Sequence, residues 1–245
     1  MTEKEMYNLI NNQNNQQSNG FAFNERERGL SGAFPVLMRK VYTWMTLALL
    51  ITGVTAFGVA ASPTLFMNLH KMMWGLIIAE LVLVFALSGA INRLSLGTAT
   101  LMFIGYSVLN GAMLSSIFYI YSPMVIAKVF FITAGTAFYG YTTKKDLTSI
   151  GKILFMALIG LIIATVVNMF LKSPGFDYIL SYVGVAVFTG LTAWDSQKIK
   201  QMLQTQYDVS EGAQKLALLG ALTLYLDFIN LFLYLLRIFG GSNKD

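Results

Sequence analysis

The run LTLYLDFINLFLYLLRIFG at residues 222–240 is almost entirely apolar, yet it carries Asp227 near its centre. A helix of about 20 apolar residues is long enough to cross the hydrocarbon core of a bilayer. A carboxylate at that depth costs several kcal/mol unless it faces protein, water or a counter-charge. The run therefore predicts a membrane-spanning helix whose aspartate is sheltered from lipid.

The whole chain has the composition of a membrane protein. Of its 245 residues, 56% are hydrophobic and only 12% are charged, and the mean hydropathy is +0.61. Seven apolar runs near the spanning length occur at about 41–60, 73–92, 98–121, 124–143, 151–171, 178–198 and 215–239. They predict an all-α integral membrane protein with seven transmembrane helices. Because the connections are short, residues 30–245 are predicted to form a single membrane domain.

The N-terminal region has a different composition. Residues 11–19 read NNQNNQQSN, a low-complexity amide tract that cannot build a hydrophobic core. Residues 1–29 are therefore predicted to be a flexible polar tail. The chain has no cysteine, which excludes disulfides and thiolate metal sites, and its only histidine, His70, falls in a predicted loop.

The net charge of +5 is explained by where the basic residues lie relative to the membrane, without a polyanionic partner. With a cytoplasmic N-terminus, twelve of the 17 basic residues lie on the cytoplasmic side. These are Lys4, Arg26, Arg28, Arg39, Lys40, Arg93, Lys144, Lys145, Lys152, Lys198, Lys200 and Lys215. This asymmetry is the positive-inside pattern, so no nucleic-acid partner is needed to explain the basicity. Seven spans then place the C-terminus outside.

Three carboxylates fall within the predicted spans. Glu80 and Asp227 lie well inside the second and seventh spans, and Asp195 lies near the cytoplasmic end of the sixth. Polar or small residues also recur at helical spacing along the last span, at Gly220, Thr223, Asp227, Asn230, Tyr234 and Arg237. Such a stripe must face other helices or a water-filled cavity, which places the last span at the centre of the bundle.

The motifs of intramembrane enzymes are missing from the sequence. An intramembrane aspartyl protease carries a Gly-x-Gly-Asp segment, whereas Asp195 follows Trp194 and Asp227 follows Leu226. A zinc protease would show His-Glu-x-x-His, and a rhomboid-like protease needs a histidine within a helix. No glycine-rich phosphate loop is present either. The sequence thus predicts no enzyme and no cofactor.

Ions or protons are the remaining ligands for these carboxylates. Carboxylate oxygens suit calcium, but a tight calcium site would need about six to eight oxygens. Asp195 and Asp227 are therefore predicted to be weak calcium ligands on a path for the ion. If they lie close together, they titrate as a coupled pair, because one proton held between them relieves the repulsion of like charges.

Four segments resemble the Bax-inhibitor family of seven-helix membrane proteins. They are RKVYTWMTLALLITGVTAF at 39–57, AELVLVFALS at 79–88, TAWDSQKIK at 192–200 and LYLDFINLFLYLLRIFG at 224–240. The resemblance implies a last helix surrounded by the other six, and a pH-sensitive calcium leak channel of a bacterial inner membrane gated by an aspartate pair. It maps that pair onto Asp195 and Asp227, an acidic residue of the second helix onto Glu80, and a partner of the pair onto Arg93.

Two functional hypotheses follow from this resemblance. The first is the calcium leak channel, with calcium as the permeant ion, Asp195 and Asp227 as the pH sensor, and Glu80, Arg93 and Asn230 in support. The second is a non-conducting protein that modulates a membrane-bound protease, as some bacterial relatives are described to do. The polar tail over residues 1–29 would suit a protein–protein contact in the second case.

The charge asymmetry predicts the topology. We expect a cytoplasmic N-terminus, cytoplasmic loops around Lys144-Lys145 and residues 201–214, and an external C-terminus. Because the chain lacks cysteine, a single cysteine introduced at Asp245 can be labelled with a membrane-impermeant thiol reagent. Labelling from outside intact cells is the expected result. Labelling only from the cytoplasmic side would invert the topology or remove one span.

Overall fold

The structure is a computed structural model that describes residues 3–143 and 147–240, with side chains from residue 32 onward. The side chains of the predicted tail over residues 1–29, the Lys144-Lys145 loop and Asp245 lie outside the described part. The flexible tail and the topology at the C-terminus therefore stay predictions.

The described residues form helices and no strands. The α-helices are α1 (Glu3–Ala60), α2 (Pro63–Lys71), α3 (Met73–Ala90), α4 (Leu96–Leu114), α5 (Ile117–Ile120), α6 (Pro123–Thr142), α7 (Gly151–Leu171), α8 (Pro174–Gln204) and α9 (Glu211–Gly240). A short 3₁₀ helix, Ile91–Arg93, follows α3. His70, predicted to lie in a loop, is instead in the last turn of α2 and is exposed.

Seven helical segments are long and apolar enough to cross a membrane, which confirms the predicted fold class. They are Gly32–Ala60, Met73–Arg93, Leu96–Ile120, Pro123–Thr142, Gly151–Leu171, Pro174–Gln204 and Glu211–Gly240. The sixth segment ends six residues later than predicted, because Ile199 and Leu203 continue its apolar face and are buried. The seventh begins four residues earlier, at Glu211.

Ser-Pro pairs set where three of the helices begin. α2, α6 and α8 each begin at a proline that follows a serine. Proline suits the first helical position because the missing N–H would have no partner there. The hydroxyls of Ser122 and Ser173 also accept hydrogen bonds from the backbone N–H groups of Val125 and Phe176. The turns on this side of the bundle are thus encoded locally.

The last helix, α9, is the centre of the bundle, as predicted. Of its most apolar stretch, 67% is buried, against 44% for α8 and 6% for α7. It packs directly against α1, α4, α6 and α8. The helices α3 and α7 lie further from α9, because α3 packs mainly against α4 and α7 mainly against α8. Both of them line a cavity that α9 also lines.

A buried hydrogen-bond chain joins the central helix to two of its neighbours. The Thr52 hydroxyl on α1 donates to the Ser107 carbonyl on α4 at 3.0 Å. It lies 2.7 Å from the Tyr225 hydroxyl on α9, and since its own proton goes to Ser107, Tyr225 is the donor. Tyr225 is fully buried, with the rings of Phe103 and Tyr106 packed edge-on against it. These groups fix α1, α4 and α9 in register.

The same helices α1 and α4 make their closest approach at Gly111. A Cβ atom added at Gly111 would lie 2.5 Å from the Thr52 carbonyl oxygen and 2.8 Å from the Thr55 Cβ. Backbone cannot move aside as a flexible side chain can, so this position requires glycine. Gly105 lies on the same helix, and a Cβ there would meet nothing within 4 Å.

We predict that Gly111→Ala destabilises the protein by about 1–3 kcal/mol, because α1 and α4 must separate to admit the methyl group. Gly105→Ala is the matched control and should be neutral or stabilising by up to about 1 kcal/mol, since alanine is the better helix former. Thermal unfolding of the purified protein in detergent measures both. Equal midpoints for the two variants would contradict the close approach.

Candidate functional site

The structure brings Asp195 on α8 together with Asp227 on α9. These two helices form the most extensive helix pair among the described residues. The two carboxyl groups lie close enough to act on each other, and both line one cavity. A carboxylate can only accept a hydrogen bond, so a bond between the two groups would need one shared proton. Asp227 is 6% exposed, and Asp195 is partly buried.

The helix ends place both aspartates further from the ends of their helices than the sequence predicts. The predicted span ends at 198 and 215 put Asp195 near the membrane edge and Asp227 deep inside the bilayer. In the structure α8 continues to Gln204 and α9 begins at Glu211, so both helices run past their predicted spans at the same end. The difference in depth between the two aspartates falls only from nine residues to seven, so the packing of α8 on α9, and not the helix ends, brings them together.

The aspartate pair lines a cavity of about 740 Å³. Its walls come from α3, α4, α7, α8 and α9, and they are mostly apolar. The lining residues that carry polar groups are Glu80, Tyr106, Thr165, Trp194, Asp195, Lys198, Thr223, Asp227, Asn230 and Tyr234. All three predicted intramembrane carboxylates, Glu80, Asp195 and Asp227, thus line one cavity.

Two carboxyl oxygens of this cavity lack a protein partner. They are Oδ2 of Asp227 and Oε1 of Glu80, both buried and without a hydrogen bond in the described part of the chain. An unsatisfied buried acceptor costs about 1–3 kcal/mol, and more when it is charged. Both side chains line the cavity, but these two oxygens themselves have almost no accessible surface.

Glu80 has its own polar surroundings on α4. The side chain of Asn110 lies beside its carboxyl group, and Tyr106 is close to both. The Asn110 Oδ1 atom is buried and has no partner among the described residues. Neither Asn110 nor Tyr106 was among the predicted site residues, because only packing of α3 on α4 shows that they face Glu80.

The cation beside the aspartate pair is Lys198, one helical turn after Asp195. Its charge acts on the Asp195 carboxyl, its Nζ lies 5.0 Å from the centre of the Trp194 ring, and it lines the cavity. Both Lys198 and Arg93 are exposed, but Arg93, mapped to this place by the resemblance, lies at the end of the 3₁₀ helix and does not line the cavity. Spacing alone could have indicated Lys198, since residues i and i+3 of a helix are neighbours.

Asn230 and Thr223 line the cavity but also bond to their own helix. The Asn230 amide donates to the Leu226 carbonyl at 2.8 Å, and the Thr223 hydroxyl donates to the Leu219 carbonyl at 3.1 Å. These bonds use a donor of each side chain within α9. Arg237, also on the predicted stripe, lies 3.5 Å from Asp177 at the far end of α8 and α9.

The arrangement does not form a closed metal site. Among the residues that the structure describes, no group of three or more His, Cys, Asp or Glu side chains could hold a metal ion. Asp195 and Asp227 supply fewer oxygens than a tight calcium site needs. Their geometry suits transient contact with a cation or a proton.

Comparison with known proteins finds one family across nearly the whole chain. A family model described as "Inhibitor of apoptosis-promoting Bax1" matches residues 35–244. The chain is 50% identical over 214 residues to "Inner membrane protein YbhL" of Escherichia coli K12, which covers 83% of this chain and 91% of that protein. It is 45% identical over 216 residues to an uncharacterized protein of Borreliella burgdorferi, covering 85% and 93%. "Uncharacterized protein YrjE" of Lactococcus lactis is 38% identical over 243 residues, covering 93% and 99%.

The burial of Asp227 predicts its accessibility to probes. A spin label on a cysteine at position 227 should be poorly accessible to oxygen dissolved in the lipid, because the side chain faces α8 and the cavity. A label at Phe170, which is 83% exposed on α7, is the control and should be highly accessible. Paramagnetic relaxation in liposomes measures both. Equal oxygen accessibility at the two positions would mean that α9 is not central.

Proposed function

This chain belongs to the Bax inhibitor family of membrane proteins, and on that premise we propose that it is a pH-sensitive calcium leak channel gated by Asp195 and Asp227. One observation carries the proposal: a buried aspartate lies beside a second carboxyl group, keeps one oxygen without a partner among the described residues, and lines a cavity. Ion paths through membranes use buried carboxylates. The charge of such a group is costly in lipid, so its protonation depends on the protein, water and cations around it.

The membrane location is supported by two findings. Seven helices are long and apolar enough to span a bilayer, and a relative with half of its aligned residues identical is named an inner membrane protein. We therefore place the chain in the inner membrane as a multi-pass protein. A channel makes and breaks no covalent bonds, so the proposal keeps the predictions that the chain is not an enzyme and needs no cofactor.

The proposed closed state is the one with a shared proton. The proton lets the two carboxyl groups bond, and this bond holds α8 against α9. Further along the same two helices, the rings of Phe188 and Tyr234 stack with their centres 5.8 Å apart. Tyr234 packs over Gly184, where a Cβ would lie 2.6 Å from the ring. Tight packing of α8 on α9 beyond the pair closes the path.

The proposed open state follows the loss of that proton. Two ionised carboxylates in contact repel each other, and in a medium of low dielectric constant this repulsion is much stronger than in water. Separation of α8 from α9 would loosen the packing at Tyr234 and Gly184. The ionised pair would then attract calcium, which prefers carboxylate oxygens. On this scheme calcium flux rises as the pH rises.

We predict that purified protein in liposomes conducts calcium with a rate that increases from mildly acidic to mildly alkaline pH. Asp195→Asn and Asp227→Asn keep the shape of the side chain but cannot lose a proton, so each should flatten the pH dependence. A calcium-sensitive dye inside the liposomes measures the flux. Asp177→Asn is the control, because Asp177 lies outside the cavity and, among the described residues, its side chain makes only long contacts of 3.5 Å with Arg237 and Asn168, which contribute little to stability.

Two outcomes would overturn the proposal in different ways. If both asparagine variants keep the full pH response, another group is the sensor. If the unmodified protein passes no calcium at any pH, the alternative of a non-conducting modulator of a membrane-bound protease replaces the channel. Removal of residues 1–29 separates the two hypotheses further, since a modulator would lose its cellular effect while ion flux is unaffected.

A further inference from the structure

We propose that the cavity at the aspartate pair is also a binding site for single-chain amphiphiles with an amine head group, which enter it sideways from the bilayer. The head group would bind Asp227, and the alkyl chain would lie between α3 and α7. This site follows from the shape and charge of the cavity, and it does not depend on calcium conduction.

The cavity opens towards lipid between two helices. Leu81 and Val84 on α3 line one side, and Phe155 and Ile162 on α7 line the other. The two helices do not form a packed pair, since α3 rests on α4 and α7 rests on α8. Leu81, Phe155 and Ile162 are each about half exposed while they line the cavity. Their outer surfaces therefore form the rim of a mouth at membrane depth.

The mouth is long and apolar along α7. Its lining residues run from Phe155 to Val166, a distance of about 16 Å at 1.5 Å per residue. Leu158 and Leu161 lie between them and also line the cavity. An extended alkyl chain fits such a slot. Its surroundings are apolar both in the lipid and in the slot, so the hydrophobic effect does not favour either place. Chain burial alone thus gives little selectivity, and the head group must supply it.

The head group is selected by the charges at the inner end. Glu80, Asp195 and Asp227 line the cavity, and Lys198 is its one basic residue in the part of the chain described. With Glu80 ionised, three carboxyl groups against one ammonium leave an excess of negative charge, even when the aspartate pair shares a proton. Asp227, 6% exposed, lines this space, and one of its oxygens is buried without a partner among the described residues. An ammonium group would donate hydrogen bonds to the carboxyl groups of Asp227 and Glu80.

Other occupants fit these observations less well. A phospholipid would bring a phosphate close to the carboxylates, which would repel it. A neutral chain would leave the Asp227 oxygen unsatisfied, and a bare metal ion would make no use of the apolar walls. A cationic amine with one alkyl chain satisfies the buried oxygen and fills the apolar slot together.

Trp194 provides a direct readout, because it lines the cavity beside Asp195. The chain has three tryptophans, so Trp44→Phe with Trp74→Phe leaves Trp194 as the only one. We would titrate this protein in lipid nanodiscs with a dodecylamine brominated along its chain, since bromine quenches tryptophan on contact. The uncharged comparison is the brominated dodecanol. The amine should quench Trp194 saturably, and the alcohol should cause only weak quenching proportional to its concentration.

Two variants test the head-group and chain contacts separately. Asp227→Asn should weaken amine binding at least about tenfold, because a charge-assisted contact is lost. Ile162→Trp should block binding by filling the mouth. Because this variant adds a tryptophan, its binding is measured by competition against a radiolabelled amine instead of by fluorescence. Ile163→Trp is its matched control, because Ile163 is similarly exposed on α7 but does not line the cavity.

The possible results distinguish the occupants. Equal saturable quenching by amine and alcohol, unaffected by Asp227→Asn, would show that the slot holds any alkyl chain and would overturn the proposal. So would the absence of saturable quenching by the amine in a protein with an unchanged unfolding midpoint. Failure of calcium flux in liposomes would leave the binding result unaffected, so the two proposals can fail separately.

Discussion

The energetic cost of a carboxyl group at membrane depth is the constraint on which the rest of the bundle depends. Asp227 lies sixteen residues after the start of α9, in a helix that must cross hydrocarbon. It can remain there only if protein, a proton or a cation shares its charge. The packing of α8, α1, α4 and α6 around α9, and the contact of Asp227 with Asp195, meet that requirement.

The cavity is the counterpart of this central packing. Two helices, α3 and α7, pack on α4 and α8 instead of closing onto α9, and the space between them holds the three intramembrane carboxyl groups. Leaving such a space open costs apolar contacts, and a local departure from close packing of this kind is expected at a functional site.

Both proposals rest on the same unsatisfied oxygen but assign it different ligands. Calcium and an amine head group are both cations that prefer carboxylate oxygens, and both would compete with the shared proton. The apolar walls separate them, since only an amphiphile gains from Phe155, Leu158 and Ile162. Bound amine would therefore occupy the place that a passing ion needs, while its chain keeps α3 apart from α7.

The sequence by itself determined the fold class, the seven spans, the central place of the last helix and the identity of the buried carboxylates. Hydrophobic run length and the cost of burying charge are local properties that can be read along the chain. Only the tertiary structure decided that α8 continues to Gln204, that Lys198 instead of Arg93 lies beside the pair, and that α7 supplies a wall of the cavity. These depend on which helix faces pack together, and in a helix that is apolar on all sides, such as α7, the sequence carries no periodicity that selects a face.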